Sequence, residues 1–146
     1  MKISFDFDDT LLWKRAVFDE DGDFDYVETV GPNPRVLPIL KRAIAQGHEV
    51  YIVTSRLSRT LDDVKYWLGP EEWGVLDGIK EIIFTEGRPK QPTLMALGVE
   101  RHYDDDPEEL VGLPEGVGIL VSPHPSWLEK KTLDERLLRA VIRSVV

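Results

Sequence analysis

The sequence predicts an α/β fold, a three-layer sandwich around a five-stranded parallel sheet, and three observations carry that prediction. Short β-branched and aromatic runs alternate with stretches of helical periodicity along the chain, the pattern of a parallel sheet with helices on both faces. The first run, Lys2-Ile3-Ser4-Phe5, passes directly into Asp6-Phe7-Asp8-Asp9-Thr10. A later run ends the same way, in Asp104-Asp105-Asp106. Ligands of open α/β sheets bind at the carboxyl ends of the strands. Carboxylates crowded there repel one another unless a cation, usually a hard metal, neutralises them. The pattern points to metal-assisted chemistry on phosphate.

Each element follows from local signals. Residues 2–6 form the first strand. Two β-prone runs, Ala16-Val17-Phe18 and Phe24-Asp25-Tyr26-Val27-Glu28-Thr29-Val30, flank the turn Asp19-Glu20-Asp21-Gly22-Asp23 and predict a β-hairpin flap over 16–30. Gly31-Pro32-Asn33-Pro34 breaks the chain, and Asn33 as N-cap with Pro34 at the first helical position predicts a helix ending near Gly47. Its apolar set, Val36, Leu37, Leu40 and Ile44, fits one face. The second strand spans 48–54 and is followed by a helix over 58–68. A third strand at 81–84 leads through Thr85-Glu86-Gly87-Arg88-Pro89 to a short helix over 91–97, stopped by Gly98. The fourth strand spans 100–103, a short acidic helix runs through Leu110, and the fifth strand spans 117–121. An amphipathic helix over 132–146 carries Leu133, Leu137, Leu138, Val141 and Ile142 on one side, within a helical tail expected over 126–146.

The 146 residues suit one domain over 1–146, with no repeat or linker. The hydrophobic share of 42% and charged share of 31% are those of an ordinary soluble protein. Cysteine is absent, which excludes a disulfide framework, a thiolate zinc site and a thiol nucleophile, and fits a reducing cytoplasm. Met1 leads straight into the first strand, so no secretory signal is expected. No apolar stretch reaches the ~18 residues of a membrane span. A net charge of −9 argues against nonspecific nucleic-acid binding, which needs cationic neutralisation of phosphates.

Right-handed crossovers place the C-terminal tips of all five strands on one edge. The first strand delivers Asp6, Asp8 and Thr10 there, the second Thr54-Ser55-Arg56, the loop after the third Arg88 and Lys90, and the fourth Asp104, Asp105 and Asp106. Carboxylates from the first and fourth strands suit magnesium, which takes hard oxygen ligands. A hydroxyl and an ammonium from the second and third can hold a phosphoryl group.

This order of parts resembles the haloacid dehalogenase superfamily of phosphohydrolases, carried by Asp6-Phe7-Asp8-Asp9-Thr10-Leu11, Ile52-Val53-Thr54-Ser55-Arg56, Lys90 and His102-Tyr103-Asp104-Asp105-Asp106. The resemblance spans about residues 1–121 and implies the sheet order five-four-one-two-three. It implies Asp6 as a nucleophile forming an aspartyl phosphate and Asp8 as the acid and then the base. Thr54 would bind phosphoryl oxygens and Lys90 would offset charge. Thr10, Ser55, Arg56 and Arg88 are the expected substrate-binding residues. Mg2+ would be held by Asp6, the main-chain carbonyl of Asp8, and Asp104 or Asp105.

The family's substrate-selecting cap has no room here, since only the hairpin separates strands one and two and one helix with a short loop separates two and three. A small capless member open to bulky substrates implies a phosphomonoesterase acting on a nucleotide or a nucleic-acid terminal phosphate. Phosphoprotein or small-metabolite phosphatase is the alternative, as is a noncatalytic phosphate-binding module. Lys14, Arg15, Arg56, Arg59, Arg88 and Lys90 lie just after strand tips and could focus anions on that edge.

A receiver domain also combines acids, a hydroxyl and a lysine on a parallel sheet. Its phosphoacceptor follows the third strand, where this chain has Thr85-Glu86. Thr54-Ser55 could cap a helix as well as bind phosphate, and Asp106 before Pro107 reads as an N-cap. His48, His102 and His124 show no ligand spacing and read as structural or surface residues. The segment Ser122-Pro123-His124-Pro125-Ser126-Trp127 reads as a rigid packing loop.

Overall fold

The computed structural model describes residues 1–128. The elements run β1 (Lys2–Phe5), β2 (Leu12–Phe18), β3 (Phe24–Pro32), α1 (Leu37–Ala45), β4 (Glu49–Thr54), α2 (Leu61–Leu68), β5 (Ile79–Phe84), α3 (Gln91–Leu97), β6 (Arg101–Asp104), β7 (Gly118–Leu120) and α4 (Pro125–Leu128). Ile3, Ser4 and Phe5 are buried on both sides of the sheet, as the middle strand of a parallel sheet requires. β1 accordingly pairs in parallel with β4 and β6, and the five-stranded sheet has the order β5-β4-β1-β6-β7. The α/β fold and the sheet order expected from the sequence are the ones observed. The expected helix over 132–146 lies outside the described residues.

The period of two along each strand sorts side chains into two cores. Ile3, Phe5, Val50, Ile52 and Tyr103 join Leu37 and Leu40 of α1 and Val64 and Leu68 of α2, with Phe5 stacked on Tyr103 at 4.7 Å between ring centroids. On the opposite face Tyr51 and Val53 join Leu94 of α3, Val99 and Val117. Ser4 is the cross-strand partner of both Tyr51 and His102, so these polar residues share the α3 face.

The hairpin is longer than the 16–30 read from the sequence: Leu12 and Trp13 are already in β2, paired with Pro32 and Gly31. Leu12 is buried, which gives the extra residues a core-facing anchor. Asp19 shapes the turn, its Oδ1 accepting the backbone N–H groups of Asp21 and Asp23 at 3.0 and 2.9 Å. The segment after β7 packs on this hairpin. Trp127 Nε1 donates to the Lys14 carbonyl at 2.8 Å, the Trp127 ring stacks on Phe24, and Trp13 meets His124 edge-on. The packing loop expected there ends in the turn of α4.

Asn33 is not the N-cap of α1. Residues 34–36 form a turn in which the N–H groups of Val36 and Leu37 both reach the Asn33 carbonyl, and the helix starts at Leu37 with Pro38 in its first turn. Almost fully buried, Asn33 joins the two halves of the chain's first crossover. Its Nδ2 donates to the Thr10 carbonyl at 3.0 Å, its Oδ1 accepts the Arg35 N–H at 3.0 Å, and its own N–H donates to the Leu11 carbonyl at 2.8 Å. Asn33→Ala leaves the Thr10 carbonyl without its side-chain donor, and we expect a loss of about 1–3 kcal/mol in urea-induced unfolding. A loss below about 0.5 kcal/mol would contradict this role.

Candidate functional site

β1 ends at Phe5, but Asp6 N–H still donates to the Tyr103 carbonyl at 2.8 Å, so the Asp6 carboxylate is held at the tip of the central strand. The chain then coils tightly: the N–H groups of Leu11 and Leu12 both reach the Phe7 carbonyl, at 2.9 and 3.0 Å. Asp9 sits inside this coil with φ of +64°, a left-handed conformation that Asp tolerates better than most residues. The coil folds Thr10 back beneath the acids. The Thr10 hydroxyl lies 3.2 Å from both Asp6 Oδ2 and Asp105 Oδ1 and accepts the Asp105 N–H at 3.1 Å.

Lys90 enters from the start of α3. Its ammonium is almost fully buried and donates to Asp6 Oδ1 at 2.8 Å and to Asp104 Oδ2 at 2.7 Å. Burial pulls the Lys90 pKa down, but Asp6 and Asp104 outweigh it and hold the group above its ordinary value. Burial likewise pushes Asp104 up, yet Lys90 and His102 bring it to about 2. Asp6 is raised well above its ordinary range, by burial first and by Asp104 next. Burial, with Asp104 and Asp9 nearby, lifts Asp105 to about 7.

One oxygen from each of Asp6, Asp104 and Asp105 falls within a 4.8 Å group. Two buried carboxylates, Asp6 and Asp104, and the half-buried Asp105 against the Lys90 ammonium leave an excess of negative charge, and the raised pKa values of Asp6 and Asp105 are its signature. A divalent cation with a preference for hard oxygen fits this donor set. The carboxylates, with Asp8, Asp9, Ser55, Lys90, Asp106 and Glu109, line a cavity of about 210 Å³.

Asp8 stands apart from the three. Arg56 grips it with two hydrogen bonds, Nε to Oδ2 at 2.7 Å and Nη2 to Oδ1 at 2.8 Å, and Lys14 Nζ lies 2.7 Å from Oδ1. Burial pushes Asp8 up, but these bonds outweigh it and hold the carboxyl below its ordinary value. Arg56 is itself fixed by Asp63 at 2.7 Å and lies over the Phe7 ring at 5.1 Å.

Of the residues singled out in the sequence, Asp6, Asp8, Ser55, Lys90, Asp104 and Asp105 line one cavity. Thr10 lies beneath it. Thr54 is buried at the end of β4, where its hydroxyl accepts the Arg56 N–H at 3.2 Å. Arg56 meets the site through Asp8. Arg88 does not join it: its N–H closes a turn on the Thr85 carbonyl at 3.0 Å, and it lines a separate hollow with Phe84, Thr85, Glu86 and Pro89. Asp106 accepts the Glu108 N–H at 3.0 Å, the cap expected of it.

Two residues were not legible as parts of the site. Glu109 Oε2 accepts the Lys90 N–H at 3.0 Å and so fixes the start of α3. His102, read from sequence as structural or surface, is fully buried with Nε2 2.9 Å from Asp104 Oδ2 and Nδ1 2.7 Å from the Ser4 hydroxyl. Its signal was its place two residues before Asp104, as Ser4 is two before Asp6, since that spacing puts each pair on one sheet face.

No protein-family description and no curated protein matches the sequence. Solved structures do match in three dimensions. A hypothetical protein from Xanthomonas campestris superposes with a TM-score of 0.54 at 20% identity, over 99% of this chain and 71% of its own. The 3-deoxy-D-manno-octulosonate 8-phosphate phosphatase of Moraxella catarrhalis, solved with magnesium, phosphate and KDO, gives 0.53 at 19% identity over 99% and 75%. A probable YrbI-family phosphatase of Pseudomonas syringae gives 0.52 at 18% over 99% and 74%. The chain thus adopts the fold implied by its resemblance to the haloacid dehalogenase superfamily.

The raised carboxyls give a pH signature. Asp105 keeps its proton up to about 7 in the folded chain but loses it near its ordinary 3.8 when unfolded. Between those values the folded state binds more protons, so this group's contribution to stability falls as pH rises. Magnesium must displace that proton, and the rise in melting temperature on adding it should grow between about pH 5 and pH 8. A magnesium shift that is equal across this range would contradict the clustering of Asp6, Asp104 and Asp105 on one cation.

Proposed function

We propose that this protein is a magnesium-dependent phosphomonoesterase that works through Asp6. The observation that carries the reading is the Asp6 carboxylate at the tip of the central strand, bonded to buried Lys90 and clustered with Asp104 and Asp105 over an open cavity. Asp6, Asp104 and Asp105 would hold the magnesium, with the Asp8 main-chain carbonyl as the further oxygen expected from the resemblance. When bound, the ion offsets the carboxylate charge and draws charge from the phosphoryl oxygens.

Asp6 attacks phosphorus, and the bond to the ester oxygen breaks as the new phosphorus–oxygen bond forms. The departing oxygen takes the Asp8 proton. Water then gives a proton to Asp8 and attacks the aspartyl phosphate, releasing inorganic phosphate and restoring the Asp6 carboxylate. Lys90 stays bonded to Asp6 Oδ1 and balances charge on the reacting group. The grip of Arg56 and Lys14 favours the ionised form of Asp8. An arriving phosphate dianion competes for those cations and loosens the grip, so the acid becomes competent when substrate is present.

The cavity of about 210 Å³ and its acidic lining of Asp9, Asp106 and Glu109 favour a small phosphorylated metabolite. Such a rim repels an extended polyanion, so the nucleotide or nucleic-acid end expected from the sequence gains no support from it. The magnesium and phosphate held by the Moraxella catarrhalis neighbour, alongside a sugar acid, point the same way.

The test is phosphate release with magnesium from sugar phosphates, mono- and dinucleotides, 3′-phosphorylated oligonucleotides and phosphopeptides. We expect sugar phosphates to lead and Asp6→Asn to fall to the blank while remaining folded. Turnover by Asp6→Asn would refute the nucleophile, and an oligonucleotide as best substrate would refute the small-metabolite reading. Removing the main partner of Asp8 should also show in the pH profile. In Arg56→Ala the Asp8 pKa rises, so the limb of kcat/KM that reports it should move to higher pH, and an unmoved limb would contradict the clamp.

A further inference from the structure

Beneath the acidic cavity a chain of fully buried polar groups runs into the sheet, and the reaction outlined above makes no use of its far end. Ser4 of β1 and His102 of β6 are cross-strand partners with no solvent exposure, on the face packed by Leu94, Val99 and Val117. An apolar pair would fill that position without desolvating a hydroxyl and an imidazole, each of which costs stability unless fully hydrogen-bonded. Both are satisfied, and the bonds lead in one direction. Ser4 Oγ lies 2.7 Å from His102 Nδ1, and His102 Nε2 lies 2.9 Å from Asp104 Oδ2.

The donor inventory fixes the direction of these bonds. The Asp104 carboxylate only accepts, so His102 donates through Nε2–H. Nδ1 of the neutral ring must then accept, and Ser4 donates its hydroxyl proton to it. Asp104 Oδ2 receives a second donor from Lys90 at 2.7 Å, and Oδ1 accepts the Asp106 N–H at 3.0 Å. Three donors therefore set the plane of the carboxylate.

We propose that Ser4 and His102 are positioning residues for the cation: Ser4 locks the tautomer of His102, and His102 orients the Asp104 carboxylate toward Asp6 and Asp105. The inference rests on the reading that these three carboxylates hold a divalent ion, and extends it to two residues that touch neither ion nor substrate. Partners of ligating groups set ligand orientation, and losing one typically weakens metal affinity by about 10–100-fold.

Mn2+ binding is measured by calorimetry and by the loss of the free-ion electron paramagnetic resonance signal, without substrate, on wild type, His102→Leu, His102→Gln and Ser4→Ala. We expect His102→Leu to bind about 10–100-fold more weakly. His102→Gln, which keeps an N–H of similar reach, should recover most of the affinity, and Ser4→Ala should fall between. The Mg2+ concentration for half-maximal phosphate release should rise in the same order, with KM at saturating Mg2+ unchanged. Folded His102→Leu with wild-type affinity would overturn the proposal and leave His102 a packing residue. If His102→Leu does not fold, Ser4→Ala decides, and unchanged affinity there overturns it. Wild type that binds no Mn2+ also overturns it. Wild type that binds Mn2+ with this ranking but releases no phosphate supports the positioning role while refuting the phosphatase reading.

Discussion

The Lys90 ammonium, buried between Asp6 and Asp104, is the interaction on which the rest of the site depends. Charges taken out of water are expensive, and a buried pair survives only where its geometry and further hydrogen bonds are good; removing one partner typically costs about 3–5 kcal/mol. Those conditions explain the layout around Lys90. β1 and β6 must be neighbours so that Asp6 and Asp104 come within reach of one side chain, and the sheet order makes them so. α3 must begin at a fixed place, and the bond from Lys90 N–H to Glu109 secures it. The Thr10 hydroxyl and the Asp106 N–H then satisfy the carboxylate oxygens that Lys90 leaves over, Asp6 Oδ2 and Asp104 Oδ1, while His102 shares Asp104 Oδ2 with Lys90.

One ammonium does not balance three acids. Asp104, with Lys90 and His102 as donors, stays ionised, and the remaining strain shows in Asp6 and Asp105, whose carboxyls are pushed up by burial and by the Asp104 charge. A protein that needed only a stable core would not hold acids in this state. The same imbalance that lowers the stability of the metal-free fold supplies affinity for a divalent cation, which couples site chemistry to folding. Asp8, on the exposed side, is governed by different partners and lies below its ordinary range. Environments that drive two acids of one site apart assign them different tasks.

Much of this was legible in the sequence because strand tips announce themselves. The order of Asp6 and Asp8, Thr54, Lys90, then Asp104 follows from where apolar runs stop, and parallel topology brings all of them to one edge. Residues whose roles depend on tertiary partners were not legible. Asn33 sits where a helix cap is expected, yet its amide is drawn to the Thr10 carbonyl across the crossover. Arg88 is as close in sequence to Lys90 as Arg56 is to Thr54, but the turn of the loop after β5 sends it to a different hollow. His102 carries no ligand spacing because its partner is a single carboxylate and a serine 98 residues away.

Covalent phosphorylation of Asp6 during turnover is the step on which the proposed reaction stands. The direct measurement is an acid quench of the enzyme with magnesium and a 32P-labelled substrate within the first turnovers, followed by peptide mapping. A label is expected on the peptide carrying Asp6, stable in acid, released by hydroxylamine as an acyl phosphate must be, and absent in Asp6→Asn. Steady phosphate release with no bound label at any quench time, or a hydroxylamine-resistant label on Thr10 or elsewhere, would contradict it.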